Sequence, residues 1–184
     1  MNTLAISGIS VLMSLVSSSI AAKLYAWPRL RIMERNQALA YLVSPHMFLR
    51  FIGLSFLVPG VVSPSLPAGF AIPAAYGDLV AGLLAILATV GLAKRAAPAI
   101  AAVWLFNIWG AADFIFAFYE GGHQRIEPGA LGASFFIVTT VVPALLVSHV
   151  LIFRLLVGRE TVSTKPLTPG SSAIQFQGCR LFGS

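Results

Sequence analysis

The chain has 184 residues, of which 58% are hydrophobic and only 10% charged, and its mean hydropathy is +0.88. That composition leaves too little polar surface for a soluble globule, so the sequence reads as one all-α integral membrane domain. The net charge of +6 does not point to nucleic acid, because the basic residues border apolar runs where they meet lipid headgroups. The single Cys179 excludes an internal disulfide and any multi-cysteine metal or iron–sulfur site.

Five apolar runs cover about residues 3–22, 46–62, 74–93, 97–119 and 130–157, most of them near the roughly 20 residues a spanning helix needs. The first has no basic residue ahead of it and a strongly basic stretch after it, which reads as an uncleaved anchor rather than a signal peptide. Residues 28–44 follow, where Leu30, Met33, Leu39 and Leu42 alternate with Arg29, Arg31, Glu34 and Arg35. This pattern, with Pro28 at its start and Pro45 at its end, predicts an interfacial amphipathic helix on the cytosolic leaflet, the alternative being a partly helical loop. Residues 1–160 then form a single transmembrane domain, and the Ser-, Thr-, Gly- and Pro-rich residues 161–184 a flexible cytosolic tail.

Charge sets the expected orientation. Lys23, Arg29, Arg31 and Arg35 follow the first run, Lys94 and Arg95 the third, and Arg154, Arg159, Lys165 and Arg180 lie at or beyond the end of the fifth. The gap after the second run carries no charge, and the gap after the fourth has Glu120 and Glu127 against Arg125 alone. The positive-inside rule therefore places the N-terminus outside and the C-terminus in the cytosol.

Small residues spaced by four mark the faces on which helices meet in lipid. Ser10, Ser14 and Ser18 form such a line on the first helix, and Thr140, Ala144 and Ser148 on the fifth, where Pro143 should add a kink. Pro59 should bend the second helix. On the third helix Asp78, Ala81, Gly82, Ala85, Ala88 and Thr89 fall on one side, with Leu79, Leu83, Ile86 and Leu87 largely on the other, so Asp78 is expected to face protein.

Arg50, Gly53, Leu54, Phe56, Leu57 and Gly60 spell R-x-x-G-L-x-F-L-x-x-G, and the third run reads Asp78, Gly82, Leu83, Leu84, ending Gly91, Leu92, Lys94, Arg95. Over about residues 48–118 this resembles the DoxX-like group of small four-helix bacterial membrane proteins, with an additional N-terminal helix and Asp78 where that group has Glu. The resemblance implies a bacterial inner-membrane location and an accessory subunit associated with respiratory or redox enzymes. It carries over no catalytic residue.

Two groups of polar residues stand out within the runs. Asp78 and Asp113 lie at similar depth toward the outer side, with Asn107 nearby and with Glu120 and His123 beyond them. Acidic groups in spans commonly line a polar cavity or ion path, so this set is a candidate site for a cation, a proton or an amine. Against it, Asp78 could cap a helix N-terminus, Asp113 could bond Asn107, Trp109 or Tyr76, and Glu120 and His123 could simply be solvated.

On the cytosolic side His46 and His149 fall at matching depth with Arg50. Two imidazoles so placed could ligate haem iron or a metal or bind a quinone carbonyl, although His149 lies off the small-residue line, as a snorkelling side chain would. The sequence requires no cofactor, and it has no Walker loop, dinucleotide fingerprint or serine-hydrolase elbow. Three functions are open: a non-catalytic accessory or scaffold subunit within a larger membrane complex or homo-oligomer, a small transporter or ligand-binding bundle using the outer carboxylates, or, least favoured by its sparse ligand set, an enzyme with a cofactor at His46 and His149.

Overall fold

The computed structural model describes residues 2–158, and every regular element among them is helical. Five helices are long and apolar enough to cross a membrane: α1 Thr3–Leu30, α2 Arg35–Leu57, α3 Ala68–Ala93, α4 Ala99–His123 and α5 Ile137–Val157. The tail from residue 159 onward, including Cys179, lies outside the described residues.

The expected interfacial helix is not a separate element. Residues Trp27–Leu30 continue α1, and Arg35–Val43 form the first turns of α2. Ala38, Leu39, Leu42 and Val43 are buried in the bundle core rather than laid on a surface. Pro45 does not end the helix, because its backbone stays helical. The ring deprives the Tyr41 carbonyl of its usual donor, and the Ser44 hydroxyl donates to that carbonyl at 3.4 Å. The second span thus begins eleven residues earlier than the apolar run suggests (46 − 35 = 11). It tightens into a 3₁₀ helix over Arg50–Leu57 and stops before Pro59, which sits in a turn and bends nothing.

Prolines shape two other helices. A π-helical turn at Ala22–Ala26 precedes Pro28, and another at Ile137–Val141 precedes Pro143. The widened turns accommodate rings that supply no backbone donor.

Packing follows side-chain size. On α3 the small residues Ala81, Gly82, Ala85 and Ala88 are buried while Leu83 and Leu87 are exposed. Over Thr3–Ala21 no residue of α1 is fully buried, yet Ser7, Ser10, Ser14 and Ser18 lie on its partly covered side. Ser14 Oγ donates to the Thr140 carbonyl of α5 at 3.2 Å. The α5 face differs from the expected one: Leu145, His149, Ile152 and Leu156 are buried, while Thr140 and Ala144 are exposed. The close approach here comes from a small residue on the facing helix, Gly110 of α4, which leaves α5 free to present a large side chain.

Two apolar clusters cap the bundle. One, around Leu39, Val43, Ala88, Val103, Phe106 and Ile152, lies toward the end carrying most of the basic residues. That end is tied by Arg35 Nη2 donating to the Leu156 carbonyl at 2.9 Å, by Arg154 over the Trp27 ring, and by an exposed Arg95–Glu34 ion pair. The other cluster, around Phe56, Phe70, Ala75 and Leu131, lies toward the opposite end. Between them sits a polar layer.

Candidate functional site

Arg50 is 1% exposed and organises that layer. With the second span starting at Arg35, Arg50 lies roughly 22 Å along its helix at 1.5 Å per residue, well inside the span that ends at Leu57. A guanidinium at that depth keeps its charge and offers five N–H donors. Four are used. Nη1 donates to Asp78 Oδ1 at 2.7 Å and to Asp113 Oδ2 at 2.8 Å. Nη2 donates to the Gly110 carbonyl at 2.7 Å and to His149 Nε2 at 2.9 Å. The guanidinium carbon sits 3.5 Å from the centre of the Phe114 ring, a cation–π contact. Nε has no hydrogen-bond partner among the described residues.

The donors assign the histidine tautomers. Arginine cannot accept, so His149 Nε2 must be the acceptor and its proton must reside on Nδ1, which donates to Asn107 Oδ1 at 2.7 Å. Asn107 Nδ2 returns to the His149 carbonyl at 3.2 Å, closing a reciprocal pair. His149 is therefore neutral, with both ring nitrogens engaged. Ser148 donates to the Leu42 carbonyl at 3.3 Å and accepts from His46 Nε2 at 2.9 Å. The His46 and His149 rings lie 4.6 Å apart, centre to centre, tilted by 57°. His149 has no free lone pair for iron or another metal, which removes the two-histidine ligand pair. Nor does His149 snorkel: it is 1% exposed.

Glycines make the room. A Cβ at Gly53 would collide with the Asp78 carboxylate, and one at Gly77 with that of Asp113. A Cβ at Gly110 would lie 2.6 Å from His149 Cε1 and 2.8 Å from Arg50 Nη2. Each large polar side chain thus occupies a notch in a neighbouring helix.

The two polar groups expected at different depths form one centre, because Arg50 reaches from one to the other. Asp78 lies ten residues inside α3 (78 − 68 = 10) and caps no helix N-terminus. The partner of Asp113 is Arg50; the Trp109 indole instead donates to the Gly77 carbonyl at 3.3 Å, and Tyr76 is exposed. Glu120 and His123 are not in the centre. Glu120 accepts from Gln124 at 2.7 Å, and the exposed His123 stacks on Tyr119. Phe114 and Ser148 also belong to the centre: the sequence marks Ser148 only as a small packing residue, and Phe114, beside Asp113, is indistinguishable there from other apolar helix residues.

Two carboxylates share one guanidinium. Whenever Asp78 and Asp113 are both ionised, their two negative charges stand against the single positive charge of Arg50, and His149 adds none. A cavity of about 40 Å³ adjoins both carboxylates, its remaining walls being apolar and aromatic, among them Phe56, Phe70, Phe114 and Phe118.

A family model described as "Domain of unknown function (DUF8737)" matches residues 6–157, which include every member of this centre. No curated protein and no solved structure matches the chain.

Proposed function

We propose that this chain, which belongs to the DUF8737 family, is a membrane-embedded binding bundle whose buried centre accepts one positive charge, as a proton, a small cation or an ammonium group. The observation that carries the reading is the pairing of two carboxylates with one guanidinium beside a cavity. An unbalanced charge in a low-dielectric interior is costly, and uptake of one positive charge relieves it.

The proposal includes a bacterial inner-membrane location with the N-terminus outside, which the clustering of basic residues at one end supports. An accessory role beside a redox enzyme rests on the DoxX-like motif. Its residues Arg50, Gly53, Asp78 and Gly82 are the ones that pack around the centre, so the binding function and the accessory role are compatible.

Infrared difference spectroscopy of the purified protein, stepping first pH and then sodium concentration, tests the binding reading. A carboxyl band that responds to either, and is absent from Asp113→Asn, is the expected result. If wild type shows no carboxyl response to either titration, the centre is a fixed structural ion pair and the reading fails.

A further inference from the structure

We infer that the occupant of this centre is a lipophilic amine, a compact ammonium head on a slender apolar body, entering sideways from the bilayer along α1. The inference rests on the reading above and specifies its ligand.

The cavity beside Asp78 and Asp113 does not stand alone. A groove of about 460 Å³ lies between α1 and α4, and the two share Phe70, Ala117, Phe118 and Val138 as a common wall. The groove has the size of an ordinary small-molecule site, roughly 300–1,000 Å³. Its outer wall is α1, through Leu4, Gly8 and Leu12, and no residue of Thr3–Ala21 is fully buried. An apolar chain can therefore lie along α1 with its end at the wall the groove shares with the inner cavity, which a rotation of Phe70 or Phe118 would open.

The lining of that cavity selects the head. It offers two carboxylates that share a single guanidinium, and phenyl faces that attract cations. It offers no side-chain donor, since both terminal nitrogens of Arg50 are committed to protein acceptors. A quinone carbonyl or a fatty-acid carboxylate would bring an acceptor to a site already rich in acceptors. A primary ammonium brings three donors and the missing positive charge. At about 40 Å³ the cavity suits a compact head and not a bulky quaternary one.

Protein in lipid nanodiscs, probed with dodecylamine, dodecanol and dodecanoate by native mass spectrometry and calorimetry, tests this. Dodecylamine should bind at one per chain and at least about tenfold more tightly than the other two, a difference of about 1.4 kcal/mol. Asp113→Asn should bring the amine down to the affinity of the alcohol. Gly8→Phe should weaken dodecylamine while leaving the infrared response to protons and sodium unchanged, because Gly8 lines the groove and not the inner cavity, and a Cβ there meets no atom within 4 Å. Gly122→Phe, at a second open position on the groove, serves should Gly8→Phe not fold.

Equal binding of the alcohol or the carboxylate overturns the inference, as does amine binding that survives Asp113→Asn. A carboxyl band that responds to protons or sodium without any dodecylamine binding overturns the lipophilic ligand and leaves the positive-charge site standing. Absence of both responses overturns the two together.

Discussion

Gly110 and His149 approach so closely that a methyl group on the glycine would lie 2.6 Å from the imidazole. This contact lets Arg50 Nη2 reach the Gly110 carbonyl and His149 Nε2 at once. Gly110→Ala should therefore overpack the centre and lower stability by about 1–3 kcal/mol. Gly8→Ala, with open space around the new methyl, should be neutral or slightly stabilising, since alanine favours a helix over glycine by roughly 0.5–1 kcal/mol. Thermal melts of the two variants in one detergent check the contrast.

Arg50→Met keeps much of the side-chain volume and removes the charge. It leaves Asp78 and Asp113 buried without a counter-ion, a change that costs about 3–5 kcal/mol when one partner of a buried pair is lost. The triple variant Arg50→Met, Asp78→Asn, Asp113→Asn should recover a substantial part of that loss. Additive losses across the cycle would mean that the three side chains are not coupled.

The two carboxylates should not respond alike. Asp78 is 6% exposed and fills the notch at Gly53, whereas Asp113 is only partly buried and lines grooves on two sides. Asp113→Asn should abolish the cation or proton response with a small change in melting temperature. Asp78→Asn should lower the melting temperature more. The reverse order of melting temperatures would contradict the assignment of Asp113 as the accessible group.

Arg50 fixes the His149 tautomer, and Asn107 accepts the proton this leaves on Nδ1. In wild type, nitrogen NMR of labelled histidine should show His149 protonated at Nδ1 and unprotonated at Nε2. In Asn107→Ala the Nδ1 proton loses its acceptor while Arg50 still donates to Nε2, which should leave the tautomer unchanged and cost about 1–3 kcal/mol for the buried group left unsatisfied. A wild-type spectrum with the proton on Nε2 would contradict the Arg50–His149 hydrogen bond.

Single-cysteine labelling on a Cys179-free background checks orientation. A cysteine at Gly122 should react in intact cells without permeabilisation, and one at Lys94 should not. The opposite pattern inverts the protein in the membrane.

How much of this is readable from the chain differs from helix to helix, and the reason is physical. Spanning length depends on local hydropathy, so five helices follow from the apolar runs. The covered side of α3 follows from residue size alone, because small side chains at Ala81, Gly82, Ala85 and Ala88 allow backbones to approach whatever the partner. Where a helix begins is a different matter at α2. The charges among residues 29–36 resemble an interfacial helix, and whether Leu39, Leu42 and Val43 meet lipid headgroups or protein depends on neighbours far along the chain. That single displacement carries His46 and Arg50 from a membrane edge into the middle of the bundle. The convergence of Arg50 with Asp78, Asp113 and His149 depends on three helix–helix approaches, each made by a glycine on one helix and a polar side chain on another. No local pattern pairs Gly53 with Asp78 or Gly110 with His149, since such complementarity between distant segments exists only once the helices are packed.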